Sequence, residues 1–126
     1  MKILLVDDHA LFREGLRLLL MNLDASAQID EAANLERARA LCEATTYDLM
    51  LLDLGLPGCA ELDSLIAARG FAPDLPIVVL SSEDTPSVIK AAINAGAMGY
   101  VPKSYTSDVM IGALRLVLAG GIYLPL

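Results

Sequence analysis

Apolar and polar positions along this chain fall into two alternating kinds of run. Ile3-Leu4-Leu5-Val6, Leu49-Met50-Leu51-Leu52, Ile77-Val78-Val79-Leu80 and Met98-Gly99-Tyr100-Val101 are short, apolar and bounded by turn residues. Such runs read as strands buried on both faces. We expect strands over Lys2 to Val6, Ala27 to Ala32, Asp48 to Asp53, Ile77 to Leu80 and Met98 to Val101. Between them lie stretches with helical spacing. The first runs from His9 to Leu23, with Leu11, Phe12, Gly15, Leu16, Leu19 and Leu23 on one stripe and Leu18, Leu20 and Met21 as apolar surplus. Asn34 can cap a second helix to about Ala44. A third is expected from Glu61 to Arg69 with Gly70 as a left-handed terminator. Thr85-Pro86 starts a fourth, as an N-cap followed by proline at the first helical position, and Gly96 stops it. Thr106 caps the last, which ends at Gly120-Gly121. Its docking stripe is Ile111, Leu114, Val117 and Leu118, with Val109, Ala113 and Leu116 left over.

Strictly alternating strands and helices give a parallel sheet with helices on both faces, because parallel strands need right-handed helical crossovers. The expected fold is a flavodoxin-like, doubly wound α/β domain of five strands in the order 2-1-3-4-5, with five helices.

Composition narrows the class. A length of 126 residues suits one domain over 1–126, and 56% apolar residues supply a sizeable core. No apolar run approaches the ~18 residues of a membrane span. The apolar start runs at once into Asp7-Asp8, so it reads as a first strand and not a signal peptide. Cys42 and Cys59 match no metal or redox spacing and read as reduced thiols of a cytoplasmic protein. A net charge of −7 makes the chain by itself a poor binder of phosphate backbones.

The strand ends carry the candidate chemistry. Strand one ends on Asp7-Asp8, strand three on Asp53, strand four on Ser81, and strand five leads through Pro102 to Lys103. In the 2-1-3-4-5 order, strands one and three are neighbours at the switch point, where open α/β sheets bind ligands. At an effective dielectric of 20, carboxylates 4 Å apart repel by roughly 4 kcal/mol, so such a cluster calls for a cation. Magnesium takes one or two carboxylates and keeps several waters. Asp8 and Asp53 offer carboxylates, the Gly55 carbonyl a further oxygen, and Asp7 an acceptor for a bound water. Lys103 offers a point charge to a phosphoryl oxygen and Ser81 a hydroxyl. Asp53 is placed to attack phosphorus and become an acyl phosphate. His9 reads as a surface residue, with no nucleophile nearby for it to activate.

Four stretches resemble the receiver domain of bacterial two-component response regulators, most closely of the LuxR/NarL type. They are Asp7 to Leu16, Leu52 to Gly58, Ala95 to Ser104 and Ala119 to Leu124. The resemblance implies phosphorylation of Asp53 by a histidine kinase, a magnesium pocket of Asp7, Asp8 and Asp53, and Lys103 on the phosphoryl group. It also implies a switch pair, Ser81 and Tyr100, in which the hydroxyl moves toward the phosphoryl group and the ring turns inward. Homodimerisation through the first and last helices is implied, as is DNA binding through a separate helix-turn-helix domain. The sequence departs from the family at Glu61, where Gly is usual, and at Pro102, which precedes Lys103 where many receivers have Pro after the lysine.

Three rival readings can be weighed. A dehalogenase-type phosphatase needs an acid two residues past the nucleophile, and that position is Gly55. A degenerate receiver serving only in dimerisation would not keep the full set of strand-end groups. A flavodoxin needs a Ser/Thr/Gly-rich phosphate loop after strand one, which is missing here.

Overall fold

The computed structural model describes residues 1–60 and 62–125. Five strands, β1 (Lys2–Val6), β2 (Gln28–Ala32), β3 (Leu49–Asp53), β4 (Ile77–Ser81) and β5 (Gly99–Pro102), form one parallel sheet in the order 2-1-3-4-5. Helices α1 (Ala10–Leu23), α2 (Leu35–Ala44), α3 (Asp63–Phe71), α4 (Pro86–Asn94) and α5 (Ser107–Leu118) alternate with them.

The apolar runs explain the layering. Successive strand residues point to opposite faces. Leu4, Val6, Met50, Leu52, Ile77, Val79 and Tyr100 therefore face α2, α3 and α4. Ile3, Leu5, Leu49, Leu51, Val78, Leu80 and Val101 face α1 and α5. Strands that bury both sides need no polar alternation. Only β2, at the sheet edge, shows it.

Helix ends follow local chemistry. The Asn34 side chain accepts from the Arg37 amide at 2.8 Å, and Thr106 accepts from Val109 at 3.4 Å. Thr85 sits at the N-cap with Pro86 behind it, but its side chain makes no capping bond. Gly70 does not terminate α3. The helix continues to Phe71, and Gly70 lies inside it without a positive φ. The expected start at Glu61 lies outside the described residues.

Arg69 takes up the terminator's task. Its Nη1 donates to the carbonyls of Ala72, Pro73 and Leu75, and its Nη2 to that of Gly96. One guanidinium thus joins the α3–β4 and α4–β5 connections. Gly96, at φ +107°, lies so close that a Cβ there would meet Arg69 Nε at 3.0 Å.

Two helix stripes differ from expectation. Leu20 is fully buried, while Leu11 is 84% exposed. The expected α1 stripe docks through Leu16, with Phe12, Leu19 and Leu23 partly buried against the same core, but Leu20 joins it and Leu11 does not. In α5, Ala113 is buried with Met110, Leu114 and Val117, and Leu118 is exposed. Met110, Ala113, Leu114 and Val117 follow the i, i+3, i+4, i+7 spacing of one helix face. No described helix is long and apolar enough to cross a membrane.

Candidate functional site

The carboxyl edge of the sheet collects the titratable groups. The β1–β3 register pairs Val6 with Leu52, so Asp7 and Asp53 leave the sheet side by side. Both carboxylates are buried, and Asp8 is partly buried. Asp53 Oδ1 accepts from the Gly55 amide at 2.9 Å. Oδ2 accepts no hydrogen bond. Lys103 Nζ lies 2.9 Å from Asp7 Oδ2 and 3.4 Å from Asp53 Oδ2. It is in ion-pair range of both but aligned for a hydrogen bond with neither, so the attraction is between charges.

Burial pushes the Asp53 carboxyl above its usual range. The Gly55 amide opposes the rise, Asp7 reinforces it, and Lys103 lowers it again. The site is under charge strain, with two buried carboxylates sharing one ammonium.

Lys103 is held from two directions. Its amide donates to the Ser81 carbonyl at 2.7 Å, fixing the backbone after Pro102. Its ammonium sits 4.5 Å from the centroid of the Phe12 ring, a cation–π arrangement. Phe12 thus supports the lysine as well as filling the α1 stripe. The departure at Pro102 leaves the lysine aimed at the carboxylates, and no cis peptide bond occurs among the described residues.

His9 is closer to the centre than a plain surface residue. Its Nδ1 lies 3.0 Å from Asp7 Oδ1 and 3.3 Å from Asp8 Oδ1, although most of its side chain is exposed. Asp7, Asp8, His9 and Asp53 each bring one donor atom within 4.8 Å of the rest. A carboxylate-rich set of this span, with Asp8 Oδ1 buried and unbonded, fits a hard divalent cation. Adjacency to Asp7-Asp8 was the available sequence signal for His9. For Phe12, position alone held no signal, because Lys103 reaches it only through the fold.

Ser81 lines an open cavity of about 510 Å³ with Leu54, Gly55, Cys59 and Glu83 beside Asp53. Its Oγ accepts from the Glu83 amide at 3.0 Å. The Tyr100 ring is fully buried toward α4, and its hydroxyl donates to the Glu83 carbonyl at 2.8 Å. A Cβ at Gly55 would stand 3.4 Å from Asp53 Oδ1, so the glycine leaves that side of the carboxylate open.

This sheet order, with an acid pair, a central aspartate and a lysine at one edge, is the arrangement of a receiver module. Residues 3–115 match the family model of the response regulator receiver domain, and the chain belongs to that family, the receiver domains of two-component response regulators. It is 38% identical over 125 residues to the glycerol metabolism activator of Pseudomonas putida, covering 98% of this chain and 57% of that protein. It is 36% identical over 114 residues to the nitrate/nitrite response regulator NarP of Escherichia coli (strain K12), covering 90% of this chain and 53% of that protein. The chain spans about half the length of these curated relatives. Among solved structures, a LuxR family DNA-binding response regulator from Silicibacter pomeroyi superposes with a TM-score of 0.88 at 36% identity, covering 99% of this chain and 97% of that one.

Proposed function

We propose that Asp53 is the phosphoacceptor of a magnesium-dependent switch. The observation that carries this is the placement of its unbonded Oδ2, 3.4 Å from Lys103 and beside the buried Asp7. Oδ2 attacks the phosphorus of a phosphohistidine on a sensor kinase or phosphotransfer protein. The P–N bond breaks, its electron pair returns to the imidazole, and an acyl phosphate forms on Asp53. Water later attacks the same phosphorus, the P–O bond to Asp53 breaks, and inorganic phosphate leaves. The domain catalyses its own transfer and slow self-hydrolysis but turns over no free substrate.

Asp8 and Asp53 would hold Mg2+ with the Gly55 carbonyl, and Asp7 would accept from a bound water. The ion would neutralise phosphoryl oxygens that the acidic pocket alone repels. Lys103 takes the remaining charge by leaving its ion pair with the carboxylates. Ser81 turns its hydroxyl toward the phosphoryl group, and Tyr100 is the partner that keeps its ring inward.

In this reading residues 1–126 are one receiver domain of a cytoplasmic regulator. It homodimerises through α1 and α5, which share a sheet face. It controls transcription through a DNA-binding helix-turn-helix domain outside these residues. The description of the Silicibacter relative as DNA-binding supports that output. A phosphatase reading finds no acid at Gly55. The test is intact mass after incubation with Mg2+ and acetyl phosphate. One phosphoryl group should add to the wild type and none to Asp53→Asn. Equal labelling of the two would overturn the assignment.

A further inference from the structure

The segment after α5 does not simply leave the domain. Gly120 adopts φ +94°, its amide donates to the Val117 carbonyl, and the Gly121 amide donates to that of Leu116. This pair of bonds is a Schellman exit. A Cβ on Gly121 would meet Leu116 Cδ1 at 2.6 Å and the Leu116 carbonyl at 3.1 Å, so the turn is built for glycine. It sends the chain back along the outer edge of β5. There the Tyr123 amide donates to the Met98 carbonyl at 3.0 Å, and the Tyr100 amide donates to the Tyr123 carbonyl at 3.2 Å, forming a parallel bridge between Gly99 and Tyr123. The Tyr123 ring packs on the α1/α5 core. Leu124 and Pro125 then form one wall of a cavity of about 380 Å³, whose other wall is α4 with Ile89 and Ile93.

Tyr100 is therefore tied in two directions at least. Its hydroxyl holds the Glu83 carbonyl, in the loop that starts α4, while its backbone amide holds Tyr123. We propose that Ile122–Pro125 is a strap whose docking on β5 and the inward position of the Tyr100 ring are one equilibrium. Occupation of Asp53 is thus passed along the β5 backbone to the segment that leaves the domain. The inference rests on the reading of Asp53 as phosphoacceptor. The strap is short and tied by few backbone bonds, the kind of element that opens well below the global unfolding energy. It also satisfies β5 groups that an open sheet edge would present to other chains. The α4 wall of the cavity begins at the Glu83 loop, so movement of that loop reaches Leu124 and Pro125 from a second side.

Coupling of this kind is reciprocal. The test is amide hydrogen exchange followed by NMR, with Mg2+ and with or without beryllofluoride as the acyl-phosphate mimic. Beryllofluoride should slow exchange of the Tyr100 and Tyr123 amides together, by about tenfold, and leave β2 amides unchanged. Tyr100→Phe, which keeps the ring and removes only the hydroxyl, should abolish most of that slowing at Tyr123. Gly121→Val should speed Tyr123 exchange without the mimic and weaken beryllofluoride binding, read by 19F NMR, by a similar factor. Should that variant not fold, Tyr123→Pro, lacking the N–H that reaches Met98, should speed exchange of the Tyr100 amide, whose acceptor is the carbonyl of residue 123, and weaken beryllofluoride binding likewise. Bound beryllofluoride with unchanged Tyr123 exchange would overturn the strap and leave the phosphoacceptor reading intact. Failure of acetyl phosphate to label Asp53 would instead remove the foundation of both.

Discussion

Ser81 and Tyr100 grip one peptide residue from two sides. Ser81 Oγ accepts from the Glu83 amide, and the Tyr100 hydroxyl donates to the Glu83 carbonyl. The hydroxyl and the ring of the proposed switch pair are therefore joined through the backbone of a residue whose own side chain plays no part in the link. If Ser81 turns toward a phosphoryl group, its bond to the Glu83 amide changes, and the residue bearing the Tyr100 acceptor is repositioned with it.

Ser81→Ala should accordingly weaken the conformational response more than phosphoryl uptake. A neutral hydrogen bond nets only about 1 kcal/mol, whereas reversing a 99:1 equilibrium takes about 5.5 kcal/mol. Charged contacts at Asp53 and Lys103 must contribute most of the shift, and Ser81 trims it. Intact mass should report near-normal labelling of Ser81→Ala while NMR shifts around Tyr100 move less than in wild type. Identical Tyr100 shifts in the two proteins would contradict the link.

Magnesium should raise the melting temperature of the unphosphorylated domain by mass action. Asp8→Ala should remove the rise, since Asp8 is proposed as a direct ligand, and Asp7→Ala should only reduce it. Lys103→Met should make Mg2+ bind more tightly, because two buried carboxylates would lose the ammonium between them. Thermal melts across a magnesium titration separate these cases. The reverse ranking of Asp7 and Asp8 would exchange their roles.

Tyr47 makes stability depend on alkaline pH. Burial, then the hydrogen bond to Asp30, push its hydroxyl from 10.0 up to about 12. From pH 10 to about 12 the unfolded chain has released this proton while the folded chain retains it. The folded state binds more protons there, so stability falls as pH rises through that window and is unaffected below it. Tyr47→Phe should cost about 1 kcal/mol at neutral pH and flatten the alkaline decline. Chemical denaturation at pH 8, 10 and 11 measures both; an equally steep decline in the variant would assign it to other groups.

Self-association should run through exposed apolar residues of α1 and α5. Leu18 and Met21 on one helix, and Val109, Leu116 and Leu118 on the other, remain exposed on one sheet face. A two-fold dimer would use each substitution twice. Sedimentation across concentration, with and without phosphorylation, should show Leu116→Glu more monomeric than wild type. A wild type that stays monomeric in both states would count against this surface.

The architecture was legible because the strands are apolar throughout and end in turn residues, leaving only their order to infer. Asp7, Asp8, Asp53 and Lys103 could be brought together from strand ends alone. Helix faces were harder. In α1, leucines stand at positions 11, 16, 18, 19, 20 and 23, so several stripes score alike. Tertiary packing chose Leu20 and left Leu11 in solvent. Gly70 failed as a terminator because glycine tolerates a helix interior, and Arg69 satisfies the nearby carbonyls instead. The Glu83 bridge had no sequence signal at all, since it is made by main-chain atoms that every residue carries.

The Arg69 clasp has a consequence for how the domain can move. It ties four carbonyls from two connections at the amino-terminal edge of the sheet, opposite Asp53. That edge is a fulcrum. With the end of α4 pinned near Gly96, a displacement begun at Glu83 would turn the helix as a lever, with its travel greatest at Pro86 and least at Asn94.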